Sequence, residues 1–228
     1  MAIILKSTKL NYWEKQMPNW CSNTLTITHE DPTMIVRAKA AFAEGKFLNE
    51  FIPVPEDLQI VAGSVGDPDE QAKLVLQEKS NLEKHGYANW YDWCVNEWGT
   101  KWDVGDSQGI NSWTDTDLVV YFDSAWSPPL EAYGRLIDLG FSVYATYYEP
   151  GTAFAGIWED GHDDFYDLSG MDSGDVQQQL PQELDEAFGI SESMAEYEAE
   201  NEDEVTTWYK DGVEETGLIP HEVKKNES

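Results

Sequence analysis

The hydrophobic and polar positions of this chain follow two periods, and each period predicts a different kind of element. Residues 20–29 alternate, with Leu25 and Ile27 standing between threonines, which predicts a half-buried β-strand. After Asp31, apolar side chains recur at steps of three and four residues until Gly45. That spacing places them on one face, so we predict an amphipathic helix that ends near this glycine.

The middle of the chain predicts a connector, a loop and two helices. Residues 47–55 contain two prolines and predict an extended connector, and residues 62–69, rich in Gly, Asp and Pro, predict an exposed loop. A mostly solvated helix is predicted over residues 70–86. The tryptophans of residues 90–98 are too closely spaced for a strand and share a helical face, so a second helix is predicted there, ending at Gly99.

The following segments predict a strand, a helix and a hairpin. The continuous apolar run at 118–122 is typical of a strand covered by helices on at least one face. Residues 127–140 begin with prolines suited to a first helical turn and continue with the helical period. Residues 141–148 and 153–159 predict two strands, and the turn at 149–151 joins them in a β-hairpin.

This order of elements predicts an α+β fold. We expect a ferredoxin-like split β-α-β sheet with helices on one face over residues 17–168, with a helical insertion at about 56–103. Residues 1–16 are expected to be an N-terminal extension. Residues 169–228 are expected to form an acidic C-terminal region that is helical or partly disordered, since residues 182–204 have a helical composition but a weak apolar face.

The charge of the chain narrows the class of partner. The protein has 228 residues, of which 44 are acidic and 14 are basic, for a formal net charge of −30. Residues 147–228 hold 23 of the acidic and 3 of the basic side chains. Such a field repels phosphates, so we expect no direct binding of nucleic acid or of an anionic membrane. A basic protein surface is the expected partner, and the oligomeric state stays open.

The cysteines and the apolar runs indicate a compartment. Cys21 and Cys94 each follow a tryptophan and are too few for a disulfide framework, so we expect buried thiols. The apolar run after Met1 is too short for a signal peptide, and no later stretch is long enough to span a membrane. These features predict a protein of the reducing cytoplasm, here that of a host cell.

Several separated motifs of the chain resemble one known family. They are Met17-Pro-Asn-Trp-Cys-Ser-Asn-Thr-Leu-Thr-Ile, Leu48-Asn-Glu-Phe-Ile-Pro-Val-Pro, Asn89-Trp-Tyr-Asp-Trp, Tyr148-Glu-Pro-Gly and Ala155-Gly-Ile-Trp-Glu-Asp-Gly. Together they resemble the YubB-like family of phage and conjugative-plasmid proteins, over roughly residues 17–168. The resemblance implies a mobile-element origin and a ferredoxin-like domain. The family has no assigned reaction, so it implies no catalytic residue.

The motifs of catalysis are missing from the sequence. Neither cysteine has a histidine nearby in sequence, and there is neither a nucleophile elbow nor a glycine-rich phosphate loop. We therefore expect that the protein is not an enzyme and that it binds neither a cofactor nor a metal ion. The oxygen-rich residues 159–167 leave open a hard cation or metal-assisted hydrolysis, but their spacing departs from a calcium loop and is more typical of a solvated acidic loop.

Two binding functions remain open, and the first is nucleic-acid mimicry. If Glu192, Glu196 and Glu200 lie on one helix, they are separated by about 6 Å of rise, which approximates the spacing of phosphates along one strand. Such a row would inhibit a defence nuclease or another DNA-processing enzyme of the host. For the same charges, a disordered tail that only solubilises the protein stays open as well. The predicted partner-binding residues are ten carboxylates and two aromatic side chains: Asp160, Asp163, Asp164, Asp167, Glu192, Glu196, Glu200, Glu202, Asp203, Glu204, Tyr91 and Trp102. The alternative is a protein that binds or sequesters a small molecule, such as a nucleotide, through its Trp- and Tyr-rich region.

Overall fold

The chain divides into two compact units, one that ends at Ser169 and one that begins at Gly170. The computed structural model of the protein describes residues 18–202, 206–210 and 213–217. The predicted extension at 1–16 lies outside the described residues. The first unit is an α+β structure in which helices accompany a six-stranded antiparallel sheet.

The first unit contains six strands and five helices within its described residues. In chain order they are β1 (Trp20–Thr28), α1 (Pro32–Ala43), α2 (Phe47–Phe51), α3 (Pro68–His85), α4 (Trp90–Glu97), β2 (Ile110–Trp113), β3 (Asp117–Ala125), α5 (Leu130–Asp138), β4 (Ser142–Glu149), β5 (Phe154–Glu159) and β6 (His162–Asp167). A short 3-10 turn at Glu56–Leu58 precedes α3. The helices predicted over 31–45, 70–86, 90–98 and 127–140 are confirmed, as are the strands predicted around 20–29, 118–122, 141–148 and 153–159.

The sheet runs in the order β2-β3-β1-β4-β5-β6, and every neighbouring pair is antiparallel. In the central strand β1, Leu25 lies opposite Val120 of β3 and Ala145 of β4, and all three side chains are buried. Directly opposed residues share a face of a sheet, so these three define the face that carries the core. Thr24 and Thr26 point to the other face, as the alternation along β1 requires.

Helices α1 and α5 pack on the core face. Ile35 and Phe42 of α1 and Tyr133 and Leu136 of α5 belong to the same buried cluster as the strand residues. The side chain of Asp31 caps the start of α1 by accepting the N–H of Thr33 at 2.9 Å. Burial of each large apolar side chain contributes about 1.5–3 kcal/mol, so this layer of helices accounts for much of the stability of the unit.

The connector predicted over residues 47–55 is wrong at its start, where α2 forms. Asp103 explains the helix: its carboxylate accepts the N–H of Leu48 at 2.7 Å and the N–H of Asn49 at 3.1 Å. These donors lie in the first turn of α2, which has no side-chain cap of its own. The cap comes from a residue far along the chain, so no local pattern indicates it.

The solvated acidic loop predicted around residues 159–167 is also wrong, because most of it forms β6. Asp160 and Gly161, both with positive φ (42° and 99°), form a two-residue turn that pairs β6 with β5. An Asp-Gly pair favours this kind of hairpin turn. The sequence of β6 is too polar to display an alternating apolar pattern, which is why periodicity alone misses it. Strand β2 was missed for the same reason.

The second unit contains α6 (Ser173–Gln179), α7 (Gln182–Phe188), α8 (Ile190–Glu202) and a hairpin of β7 (Thr206–Lys210) and β8 (Val213–Gly217). The helical character predicted for residues 182–204 is confirmed for 182–188 and 190–202, which are separate helices because Gly189 takes the left-handed conformation with φ 60°. Glu198 of α8 accepts the N–H of Ser173 at 2.8 Å and its hydroxyl at 2.6 Å, which ties α8 to α6.

Candidate functional site

Three exposed or half-buried aromatic rings lie around the ammonium group of Lys101. Its Nζ lies 4.5 Å from the ring centroid of Trp102, 5.1 Å from that of Trp126 and 5.7 Å from that of Tyr91. The ring of Trp20 packs 5.9 Å from Trp102. Trp20, Trp102 and Trp126 keep 44%, 37% and 40% of their surface exposed. We call these five residues the Lys101 cluster; it brings together Tyr91 and Trp102, the two predicted aromatic anchors.

Two hydrogen bonds join the two segments that carry Lys101, Trp102 and Trp126, three members of the Lys101 cluster. The hydroxyl of Thr100 donates to the carbonyl of Ala125 at 3.0 Å, and the hydroxyl of Ser127 donates to the carbonyl of Gly99 at 2.6 Å. These bonds join the segment that follows α4 to the segment that follows β3. The backbone on either side of these side chains is therefore held in place before any partner arrives, which lowers the entropy that binding would cost.

The backbone of Trp126 is strained. Its φ is 69°, a left-handed conformation that is unfavourable for a bulky residue, and its N–H donates to the carbonyl of Asn19 at 2.9 Å. Such a conformation costs of the order of 1–3 kcal/mol and is typical of functional positions. Beside it lies an open cavity of about 560 Å³, lined in part by Trp90, Tyr91 and Lys101. The cavity offers stacking surfaces and one cation to a planar anionic group.

The carboxylates predicted on residues 160–167 do not form one patch. Asp163 lies opposite Trp158, on the same face of the sheet as Tyr147, whereas Asp164 lies opposite Ile157 on the other face. Because side chains alternate along a strand, two consecutive aspartates cannot both point to the same face of the sheet.

Most of these carboxylates already accept hydrogen bonds within the protein. Asp160 accepts the N–H of Val143 at 2.7 Å, and Asp167 accepts the N–H of Ser169 at 3.0 Å. Asp164 lies on the exposed side, with its Oδ1 3.1 Å from Nε2 of His162. Asp160 and Asp167 therefore have a structural role in the ends of the hairpin, and Asp164 is the more accessible charge.

Tyr147 reaches from β4 across β5 to β6. Its hydroxyl donates to Asp163 at 2.7 Å, and its ring lies over Gly156, where a Cβ atom would stand 2.2 Å from the ring and the hydroxyl. Burial, together with the hydrogen bond to Asp163, raises the pKa of Tyr147, so it stays a neutral donor. Tyr147 was not among the predicted site residues, because an alternating pattern assigns it to the core face without indicating a partner.

A groove lies between the hairpin of β5 and β6 and the helices α4 and α5. It has a volume of about 390 Å³ and is lined by apolar, aromatic and acidic side chains and by backbone: Val95, Asn96, Gly99, Ser127, Pro128, Leu130, Glu131, Tyr147, Phe154, Asp163 and Phe165. We call it the hairpin groove. Phe165 keeps 57% of its surface exposed at the edge. The groove combines apolar walls with two carboxylates, an arrangement that suits a cation with an apolar stem.

In the second unit, three predicted glutamates form a row on α8. Glu192, Glu196 and Glu200 are all exposed and four residues apart on this one helix. Glu202 is its last residue, and Asp203 and Glu204 lie outside the described residues. The surrounding sequence strengthens the negative field, because residues 136–209 contain 19 acidic side chains and neither lysine nor arginine.

The described residues contain neither an activated thiol nor a cluster of metal ligands. Burial raises the pKa of Cys21 and of Cys94 to about 12, so neither thiol is an activated nucleophile. Among residues 18–202, no His, Cys, Asp and Glu side chains come together in a group of three or more that would hold a metal ion. No helix within the described ranges has both the length and the apolar character needed to cross a membrane.

Comparison with known proteins gives one distant likeness. No family model matches the chain, and no curated protein matches it. Among solved structures, the chain is similar to the crystal structure of a protein api92 from Yersinia pseudotuberculosis, of the family DUF1281, with 14% sequence identity and a TM-score of 0.36. The alignment covers 66% of this chain and 98% of that one. A likeness at this level assigns neither a fold nor an activity to the chain.

Proposed function

We propose that this protein binds a basic, nucleic-acid-binding surface of another protein, with its carboxylates in the places that phosphates would occupy. The observation that carries the proposal is the exposed row of Glu192, Glu196 and Glu200 on α8. Their rise of about 6 Å per step approximates the spacing of phosphates along a strand. Occupation of that surface excludes the nucleic acid, so the expected effect on the partner is competitive inhibition.

The energetics of α8 support a binding role for the row. Like charges four residues apart destabilise an isolated helix by about 0.2–0.5 kcal/mol per pair. The helix keeps them although the charge of the surrounding sequence adds to the repulsion. A cationic partner surface relieves this repulsion and gains from long-range attraction, which raises the association rate.

We propose further that β1, α1, β2, β3, α5 and β4 form a ferredoxin-like core. The order β2-β3-β1-β4 within the sheet and the packing of α1 and α5 on one face support this assignment. With the resemblance of the sequence to a family of phage and plasmid proteins, the partner class to test first is a host nuclease or another DNA-processing enzyme.

Affinity capture from a host lysate tests the mimicry. The bait is the full chain, compared with a variant in which Glu192, Glu196 and Glu200 are replaced by glutamine. A second triple variant replaces three exposed glutamates of the first unit, Glu30, Glu70 and Glu83, with glutamine. It removes the same amount of charge but leaves α8 unchanged. Bound proteins are eluted with duplex DNA or with salt and identified by mass spectrometry.

The expected result is that the unchanged protein and the 30/70/83 variant capture nucleic-acid-binding proteins that DNA or high salt releases. The α8 variant is expected to lose them. Equal capture by both triple variants, or capture that DNA cannot reverse, would contradict the proposal.

The Lys101 cluster favours a second candidate function, the binding of a small planar anion such as a nucleotide. The aromatic rings would stack on a base, and the ammonium group of Lys101 would neutralise a phosphate. Titration with nucleotides is expected to give a saturable change in tryptophan fluorescence that Lys101→Met abolishes. Lys39→Met is the matched control, because Nζ of Lys39 lies 3.6 Å from the ring centroid of Trp113 at a different place. A response lost equally in both variants excludes this site.

A further inference from the structure

We propose that the hairpin groove is an anchor site for an arginine side chain of the basic partner. The inference rests on the proposed function for the existence of that partner, but it concerns a different surface from the row on α8. Charge alone gives an acidic protein little discrimination among basic surfaces, whereas a shaped pocket for one side chain supplies specificity.

The charges at the groove match a guanidinium group. Asp163 uses one oxygen to accept the hydroxyl of Tyr147, and its second oxygen accepts no hydrogen bond from the described residues. Glu131 lies exposed on the other side and makes no ion pair within residues 18–202. Arg135, one turn further along α5, donates to Glu97 at 2.8 Å and not to Glu131. Among the described residues that line it, the groove thus presents two carboxylates and no basic side chain.

The walls of the groove match the stem and the flat face of arginine. The rings of Phe154 and Phe165 pack at 5.6 Å and form an aromatic surface along the hairpin, and the buried ring of Tyr147 packs on Phe154 at 6.1 Å. A guanidinium stacks on such a surface while its N–H groups reach a carboxylate, and its methylene stem covers apolar atoms. An ammonium group is compact and cannot stack in this way, which favours arginine over lysine.

The acceptor is held in place before binding. Asp163 is half-buried, and Tyr147 fixes its orientation across the strand at Gly156. A carboxylate that is already oriented loses little side-chain entropy when it accepts a charge-assisted hydrogen bond. The exposed ring of Phe165 is the part of the site that gains most from being covered.

The test is an NMR titration of the full-length, isotope-labelled protein with short peptides that differ at one position, which is arginine, lysine or citrulline. The arginine peptide is expected to give saturable shifts of backbone signals around Asn96, Gly156 and Phe165. The lysine peptide is expected to bind more weakly, and the neutral citrulline peptide to cause no saturable shift. Asp163→Asn, which keeps an acceptor for Tyr147, is expected to weaken arginine binding about tenfold.

Asp164→Asn is the matched control, because it removes the same charge one residue away, on the opposite face of the sheet. It is expected to change the affinity less than about twofold. Equal weakening by both variants, or citrulline binding as tight as arginine binding, would overturn the anchor site.

A further variant separates this inference from the function on which it rests. The α8 variant with glutamine at 192, 196 and 200 is expected to keep the arginine-peptide shifts, since its changed residues do not line the groove. If the groove fails to bind arginine while capture by the α8 row persists, only the anchor site is wrong. If the groove binds arginine but capture does not depend on the α8 row, the anchor stands and the mimicry fails.

Discussion

The hydroxyl of Tyr147 donates a hydrogen bond to Asp163 at 2.7 Å, although a whole strand lies between the two residues. The bond is possible because Gly156, on the intervening strand, has no side chain beneath the tyrosine ring. It links β4, β5 and β6, and it orients the carboxylate of the hairpin groove. A stability contribution and a proposed binding contact thus depend on one glycine.

Replacement of Gly156 by alanine is expected to destabilise the protein and to displace Tyr147. Its Cβ atom would lie 2.2 Å from the tyrosine ring, a contact that forces the ring or the strand to move, at a cost of about 1–3 kcal/mol. Urea unfolding measures the loss. Gly134→Ala in α5 is the control: its Cβ meets nothing within 4 Å, so a gain of roughly 0.5–1 kcal/mol is expected from helix propensity. Unchanged stability of the Gly156 variant would contradict the crossing geometry.

Two tyrosine-to-phenylalanine changes are expected to have different effects. Tyr147→Phe removes the donor to the half-buried Asp163 and is expected to cost roughly 1–2 kcal/mol in the free energy of unfolding. Tyr133→Phe removes a buried hydroxyl that finds no partner among the described residues, so it is expected to be neutral or slightly stabilising. Denaturation curves of both variants test the contrast, and equal losses would mean that the bond to Asp163 contributes nothing specific.

Both cysteine thiols are expected to resist modification while the protein is folded. Burial raises the pKa of Cys21 and Cys94 to about 12, so roughly one thiol in ten thousand is ionised at pH 8. A colorimetric disulfide reagent at pH 8 is expected to detect no thiol in buffer and both in urea. Rapid reaction of either thiol in the native protein would show that its surroundings open readily.

The cap on α2 predicts a particular dependence of stability on pH. Burial raises the pKa of Asp103 above 3.8, although the N–H groups of Leu48, Asn49 and Val104 partly oppose the shift. The folded state therefore holds this proton more tightly than the unfolded state does. The associated stabilisation is complete below pH 3.8 and is lost as the pH rises through the raised pKa. Relative to Asp103→Asn, the unchanged protein is expected to lose stability as the pH rises from 3.8 through the raised pKa of Asp103.

Asp167 gives a control of opposite sign for the same titration. Hydrogen bonds from the hydroxyl and then the N–H of Ser169 lower the pKa of Asp167 below 3.8. Its stabilisation is present above pH 3.8 and is lost as the pH falls through the lowered value. Urea unfolding of the unchanged protein and of both Asn variants over an acidic pH series measures, for each aspartate, the slope of its stability contribution against pH. Slopes of the same sign for Asp103 and Asp167 would contradict the burial of Asp103.

Local patterns predicted the parts of the fold whose partners are close in sequence. Alternation in β1 identified Leu25 and Ile27 as core residues, and both are fully buried. The helical period and the cap at Asp31 located α1, because both signals lie within one or two turns of the helix. The spacing of Glu192, Glu196 and Glu200 was likewise a local property, so one continuous helix was enough to align them.

Contacts between distant residues could not be predicted in this way. The helix α2 depends on Asp103, more than fifty residues away, and the polar strand β6 forms because β5 offers it a hydrogen-bonding edge. The Lys101 cluster gathers rings from a strand, a helix and two loops that are distant in sequence. Only its members Tyr91 and Trp102 were expected to contact a partner, and Trp126 gave no signal in the sequence.

The sequence by itself determined the class of fold, the core faces of the main strands and helices, and the sign of the field that a partner meets. These follow from periodicity and from the sum of charges, which do not depend on the tertiary contacts of the chain. The tertiary structure decided which carboxylates remain available. It placed Asp163 and Asp164 on opposite faces and brought Tyr147 to the first of them, because side chains alternate along a strand and hydrogen bonds form only between groups that packing brings within about 3 Å.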